Sequence, residues 1–223
     1  MDLTAVATER TTAGADAVLA AAVAVGIVYL RRTTPISWSR GVWLGALAGF
    51  GLAAALGTIV HGIAMSSALA HLLWQPLYLL LGVAMALFVV GATAAWRGAL
   101  TARRLMPFML ALSGLFYLAT WRAGGDFLVF VIFEVSALVF AVGVYTCLAI
   151  RQRPGAGWMA LGLGVSLAAG LVQPAKSLSV HFIWTFDHNG IFHLIQLLGL
   201  AILIRGLRVT LQSPAAVGHG ELP

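Results

Sequence analysis

The 223-residue chain is 61% hydrophobic and only 9% charged, against about 25% charged for an ordinary soluble domain. A soluble globular enzyme is therefore excluded, because the chain lacks the polar residues to cover a water-facing surface. A lone cysteine, Cys147, excludes a disulfide scaffold, and the net charge of +6 comes from arginines clustered between apolar runs, which excludes a nucleic-acid-binding face.

A transmembrane helix needs about 20 mostly apolar residues. Seven such runs occur, at roughly 15–31, 41–66, 69–95, 105–121, 126–150, 156–173 and 186–207. All are predicted as helices, since an open strand edge in lipid leaves backbone groups unpaired. The fold expected is all-α, a seven-transmembrane helical bundle in one membrane domain over 14–211. Residues 1–13 and 212–223 are read as polar tails. The first run is flanked by Asp2, Glu9 and Asp16 against Arg10 and is followed by Arg31 and Arg32, unlike a cleavable signal. In the second run Gly41, Gly45, Gly49, Ala53 and Gly57 recur every fourth residue, a ridge that lets another helix approach closely. His61 is the next member of that series. Gly162, Gly164 and Gly170 predict similar close packing for the sixth run.

Charge sets the expected orientation. Arg31, Arg32, Arg40, Arg97, Arg103, Arg104, Arg151, Arg153, Arg205 and Arg208 fall on one side, and only Arg10, Arg122 and Lys176 on the other. Ten against three puts the N-terminus outside and the C-terminus in the cytoplasm. The bias to Ala, Gly and Arg over Lys suggests a GC-rich genome and a bacterial inner membrane.

Ionisable side chains inside a bilayer are costly and mark function by default. On this topology His61 ends the second helix, His71 begins the third, and Asp187, His188, Asn189 and His193 open the seventh, all in the outer half. Asp126 starts the fifth helix at that level, and Glu134 lies roughly 12 Å deeper at 1.5 Å per residue. Gln173 closes the sixth. His71, Trp74, Gln75 and Tyr78 form one stripe at i, i+3, i+4 and i+7, and Ser113, Tyr117 and Thr120 a second on the fourth helix. A site with Trp74, Gln75, Tyr78, Tyr117 and Asn189 as substrate-binding residues would be a polar pocket with aromatic walls, opening outward above a dry inner half. Asp187 serves either as the N-cap of helix seven or as a base, and Glu134 either as a core carboxylic acid or as a base.

Histidines gathered at one depth suit zinc, whose catalytic sites combine three protein ligands with a water of pKa about 7. His61, His71 and His193 would suffice if their helices adjoin, with His188 as substitute. The latter is five residues from His193, about 140° away around the helix. A retinal Schiff base is excluded, because the only lysine, Lys176, lies outside the helices.

Seven apolar helices, a histidine late in helix two and the string "FDHNGIFHLIQLLGL" opening helix seven resemble the CREST superfamily of alkaline ceramidases and progestin/adipoQ receptors. His61 matches that pattern's helix-two histidine and His193 the second member of its HxxxH pair, whose first member falls on Asn189 beside His188. The pattern's serine position is Gly57, and its helix-three aspartate has no counterpart, with His71 nearby. The closest likeness is to an uncharacterised bacterial branch with His188, Asn189, His193 and Gln196 in its signature. The resemblance implies a zinc-dependent membrane hydrolase acting on a lipid amide or ester, with membrane lipids and a lipid-like substrate as partners. Glu134 or Asp187 would then be the general base. Two other classes use the same histidines: a haem or small-ligand protein, and a receptor, sensor or small transporter. The first is weakened by the absence of inner-half histidines, and the second by the lack of an inverted repeat.

Overall fold

The computed structural model describes residues 2–125 and 127–213. Asp126 and the C-terminal stretch 214–223 lie outside the described residues. Seven helices run through the rest: α1 (Ala7–Thr33), α2 (Trp38–Gly62), α3 (Ser67–Arg97), α4 (Ala99–Arg122), α5 (Phe127–Ile150), α6 (Ala156–Gly170) and α7 (His188–Gln212). Six of them are long and apolar enough to cross a membrane; α6, at 15 residues, is shorter.

Local chemistry sets the boundaries. Ser37 caps α2 by accepting from the Arg40 N–H at 3.1 Å, and Ser66 caps α3 by accepting from the Leu69 N–H at 3.3 Å. A single residue, Gly98, separates α3 from α4 at φ +89°, a conformation open mainly to glycine. Gly155 opens α6 at φ +79°, and a Cβ there would meet the Thr210 Oγ1 at 2.5 Å. Glycine is thus required at position 155 for both conformation and space.

Helices α1, α2, α3, α5, α6 and α7 close into a ring in which each packs on the next, and α4 rides outside, mainly against α3. Small residues permit the closest approaches. A Cβ on Gly162 would lie 2.7 Å from the Leu203 nitrogen, and one on Gly206 2.8 Å from that of Met159, so α6 and α7 meet backbone to backbone. On the α2 ridge, Gly49 faces the Leu80 carbonyl of α3, whereas Gly57 faces α1. The deep core holds Trp43, Leu47, Phe88, Tyr145 and Leu207, all nearly or fully buried.

Two segments differ from the sequence expectation. The stretch expected as an N-terminal tail is built into the structure: Thr4 donates to the Gly62 carbonyl at 3.0 Å, Ala64 donates to that of Asp2 at 2.9 Å, and α1 begins at Ala7. Its threonines and acidic residues suggest solvent, but Glu9 pairs with His61 of α2, and Thr12 donates to Asp187, the residue just before α7. The chain before α7 is not helical. Strands β1 (Ser179–His181) and β2 (Thr185–Asp187) form an antiparallel hairpin held to α1 by the Thr11 hydroxyl, which donates to the Thr185 carbonyl at 2.8 Å. Beyond the ends of the helices, backbone pairing across such a hairpin is open to the chain.

At the opposite end of the bundle four guanidinium groups stack on rings: Arg97 on Trp96, Arg103 on Trp38, Arg205 on Trp158 and Arg208 on Tyr29.

Candidate functional site

At the hairpin end the ring encloses a cavity of about 290 Å³, roughly twice the volume that accommodates benzene in a protein core. Each ring helix except α6 lines it, α6 being represented by Gln173 just past its end. One wall is polar, with Asp16, His61, Asn189 and His193; the other is formed by Phe50, Trp74, Tyr78 and Phe130, with Glu134 at the deep end.

Two histidine–carboxylate pairs build the polar wall, and both carboxylates come from α1. Nδ1 of His61 lies 2.6 Å from Glu9 Oε2, and Nε2 of His193 lies 3.3 Å from Asp16 Oδ1. Asp16 is only 2% exposed. The other ring nitrogen of His193, Nδ1, is buried with no hydrogen-bond partner among the described residues. The aromatic wall is ordered too. Trp74 meets His61 edge-on at 5.5 Å and stacks on Tyr78 at 5.5 Å, whose hydroxyl donates to the Gly125 carbonyl at 3.0 Å.

A family described as of unknown function matches residues 11–212, a span that takes in every residue lining the cavity and all of the ring except the first turn of α1. The chain belongs to that family, DUF6962. Neither a curated protein nor a solved structure matches it.

In this DUF6962 member the cavity gathers His61, His193, Trp74, Tyr78, Asn189 and Glu134 from among the residues expected in a site. The others fall outside its lining. His71 is exposed one turn before Gln75, whose Nε2 lies 3.4 Å from its Nε2. Tyr117, on the peripheral α4, packs behind Tyr78, and Ser113 and Thr120 donate to carbonyls of their own helix. Asp187 is the N-cap of α7: its Oδ1 accepts from the Gly190 N–H at 3.0 Å and lies 3.3 Å from the Thr12 hydroxyl. His188, beside it, has a buried Nδ1 with no hydrogen-bond partner among the described residues.

A catalytic zinc site needs three converging protein ligands. Among the described residues no three His, Cys, Asp or Glu side chains are placed to hold one ion. The residues present therefore do not form the expected His61–His71–His193 set: two of these histidines are turned onto carboxylates, and the third sits outside the cavity.

Sequence reading missed the two α1 carboxylates. Glu9 and Asp16 looked like charges flanking a span that starts near residue 15, yet the helix starts two turns earlier. They stand seven residues apart, which is two turns and one face. That spacing was the available signal.

Proposed function

We propose that this chain is an integral membrane binding protein whose cavity takes up the polar end of a lipid-like molecule, in the manner of a receptor, sensor or small transporter. The observation that carries this reading is the half-open cavity with one polar and one aromatic wall, placed at one end of a bundle of apolar helices. Ligand sites of that size and make-up are mostly apolar, with a few convergent polar groups that fix orientation. We place the cavity in the outer half of a bacterial inner membrane, with seven spans and the N-terminus outside. The ten-to-three charge asymmetry supports this orientation, as do the four arginine–aromatic stacks at the far end, which suit a cytoplasmic interface.

The test is photolabelling of the protein in lipid nanodiscs with a diazirine-bearing fatty alcohol. Labelled peptides should map to α2, α3 and α5 around the cavity. Ala53→Phe, which fills cavity space, should abolish that labelling while preserving thermal stability. Labelling confined to the lipid-facing surface, or unchanged in Ala53→Phe, would overturn the proposal.

One observation favours a second reading, hydrolysis of a lipid amide or ester. A histidine hydrogen-bonded to a carboxylate is the usual form of an oriented general base; His61 is so placed against Glu9, and Asp16 stands 3.3 Å from His193. The resemblance to the CREST superfamily adds zinc to that reading, and metal analysis of chelator-free protein tests that part directly. Turnover of fluorogenic lipid amides or esters that vanishes in His193→Ala would support hydrolysis. Turnover no greater than that of His193→Ala would remove it.

A further inference from the structure

Among the described residues three carboxylates, from Glu9, Asp16 and Glu134, stand in or against the cavity, facing two imidazoles and no lysine or arginine. Each imidazole is matched to one carboxylate. Glu134 is the one left over: it is 8% exposed, and no described residue forms a hydrogen bond or ion pair with it. Behind it Ser166 and Gln196 surround a second void of about 20 Å³, room for a single water. Only neutral polar groups therefore serve its deep side. Its other side opens into the main cavity, where Phe50, Trp74, Tyr78, Phe130 and Phe192 supply aromatic walls.

We propose that the cavity selects an organic ammonium: the head of an amine- or quaternary-ammonium-bearing amphiphile seated against Glu134 between aromatic rings. The inference rests on the binding reading above and specifies its ligand class. A histidine–carboxylate pair is at most neutral, so the lining offers an anion no net positive charge. A carboxylate buried without a partner is costly, and a cation placed against it offsets that cost. Aromatic faces carry negative potential and attract the same kind of cation. A neutral head offers Glu134 no charge to pair with, and an anionic head finds no positive group among the lining residues.

The experiment is competition against the diazirine fatty alcohol in nanodiscs, using decyltrimethylammonium, decanol and decyl sulfate at matched membrane concentrations. In the natural protein the ammonium should compete at concentrations about tenfold or more below those of decanol, and decyl sulfate should be the weakest. In Glu134→Gln, which keeps the side-chain volume, that preference should shrink to about twofold. Equal competition by decanol and the ammonium in the natural protein would overturn the proposal, and this comparison needs no variant to fold. A preference that survives Glu134→Gln would also overturn it. In both cases the cavity would still be labelled, which separates this failure from failure of the binding reading.

Discussion

A Cβ on Gly57 would lie 2.5 Å from the Oδ2 of Asp16, so the glycine on α2 and the carboxylate on α1 occupy complementary space. This contact sets the α1–α2 approach at the cavity and leaves the carboxylate free to reach His193. Gly57→Ala should push Asp16 away and cost about 1–3 kcal/mol, the usual range for overpacking, read as a lowered unfolding midpoint in detergent. The larger Gly57→Ser should cost at least as much. If either variant is as stable as the natural protein, α1 is not packed against α2 in this register.

Asp16 and His193 form a nearly buried pair, with side chains 3% and 16% exposed. Removing one partner leaves the other buried without it, which typically costs about 1–3 kcal/mol for a polar group. Asp16→Ala and His193→Ala should therefore each destabilise the protein strongly, and the double variant should cost clearly less than their sum. Glu9 is 38% exposed, so its pair with His61 is weakened by solvent, and Glu9→Ala should cost about 1 kcal/mol or less. Additive effects at Asp16 and His193 would mean that the two side chains do not meet.

The contrast between these two pairs also explains what the sequence could reveal. Hydropathy located every helix, because an apolar run about 20 residues long is a strong local signal. It also brought His61, Trp74, Tyr78 and His193 to one level, since depth follows from helix direction alone. Depth says nothing about rotation or neighbours. Whether His71 or Asp16 faces the centre depends on which helices adjoin, and that is a tertiary property. The ring closes α1 against both α2 and α7, which admits Asp16, while α4 is left outside, taking Tyr117 out of the lining. The hairpin was missed for a different reason: a three-residue strand carries too little pattern to be separated from a loop.

Asp187 should behave as a structural residue. It caps α7 through the Gly190 N–H and ties that helix to Thr12 of α1. Asp187→Ala should cost about 1–2 kcal/mol, and Asp187→Asn or Asp187→Ser should recover most of it, because either side chain can still accept from the backbone. Ligand labelling in the cavity should persist in all three. A variant that is fully stable yet unlabelled would instead place Asp187 in the binding site.

Orientation can be read with cysteine chemistry, because the chain has one natural cysteine, Cys147, to remove first. Two exposed positions at opposite ends then report the topology without altering any charge. Ile36, in the α1–α2 connection, is 89% exposed, and Ile183, at the hairpin tip, is 67% exposed. Arg31, Arg32 and Arg40 flank the first of these, and the orientation proposed above puts it on the cytoplasmic side. The hairpin follows α6 and lies at the cavity end. In a Cys147→Ser background, Ile183→Cys should react with a membrane-impermeant maleimide on intact cells. Ile36→Cys should react only after the membrane is opened. Reaction of both positions from outside would mean that α6, at 15 residues, does not carry the chain across and that the bundle has an even number of crossings between these points. The reverse pattern would turn the whole bundle over, so that the cavity with its histidine–carboxylate pairs would open to the cytoplasm.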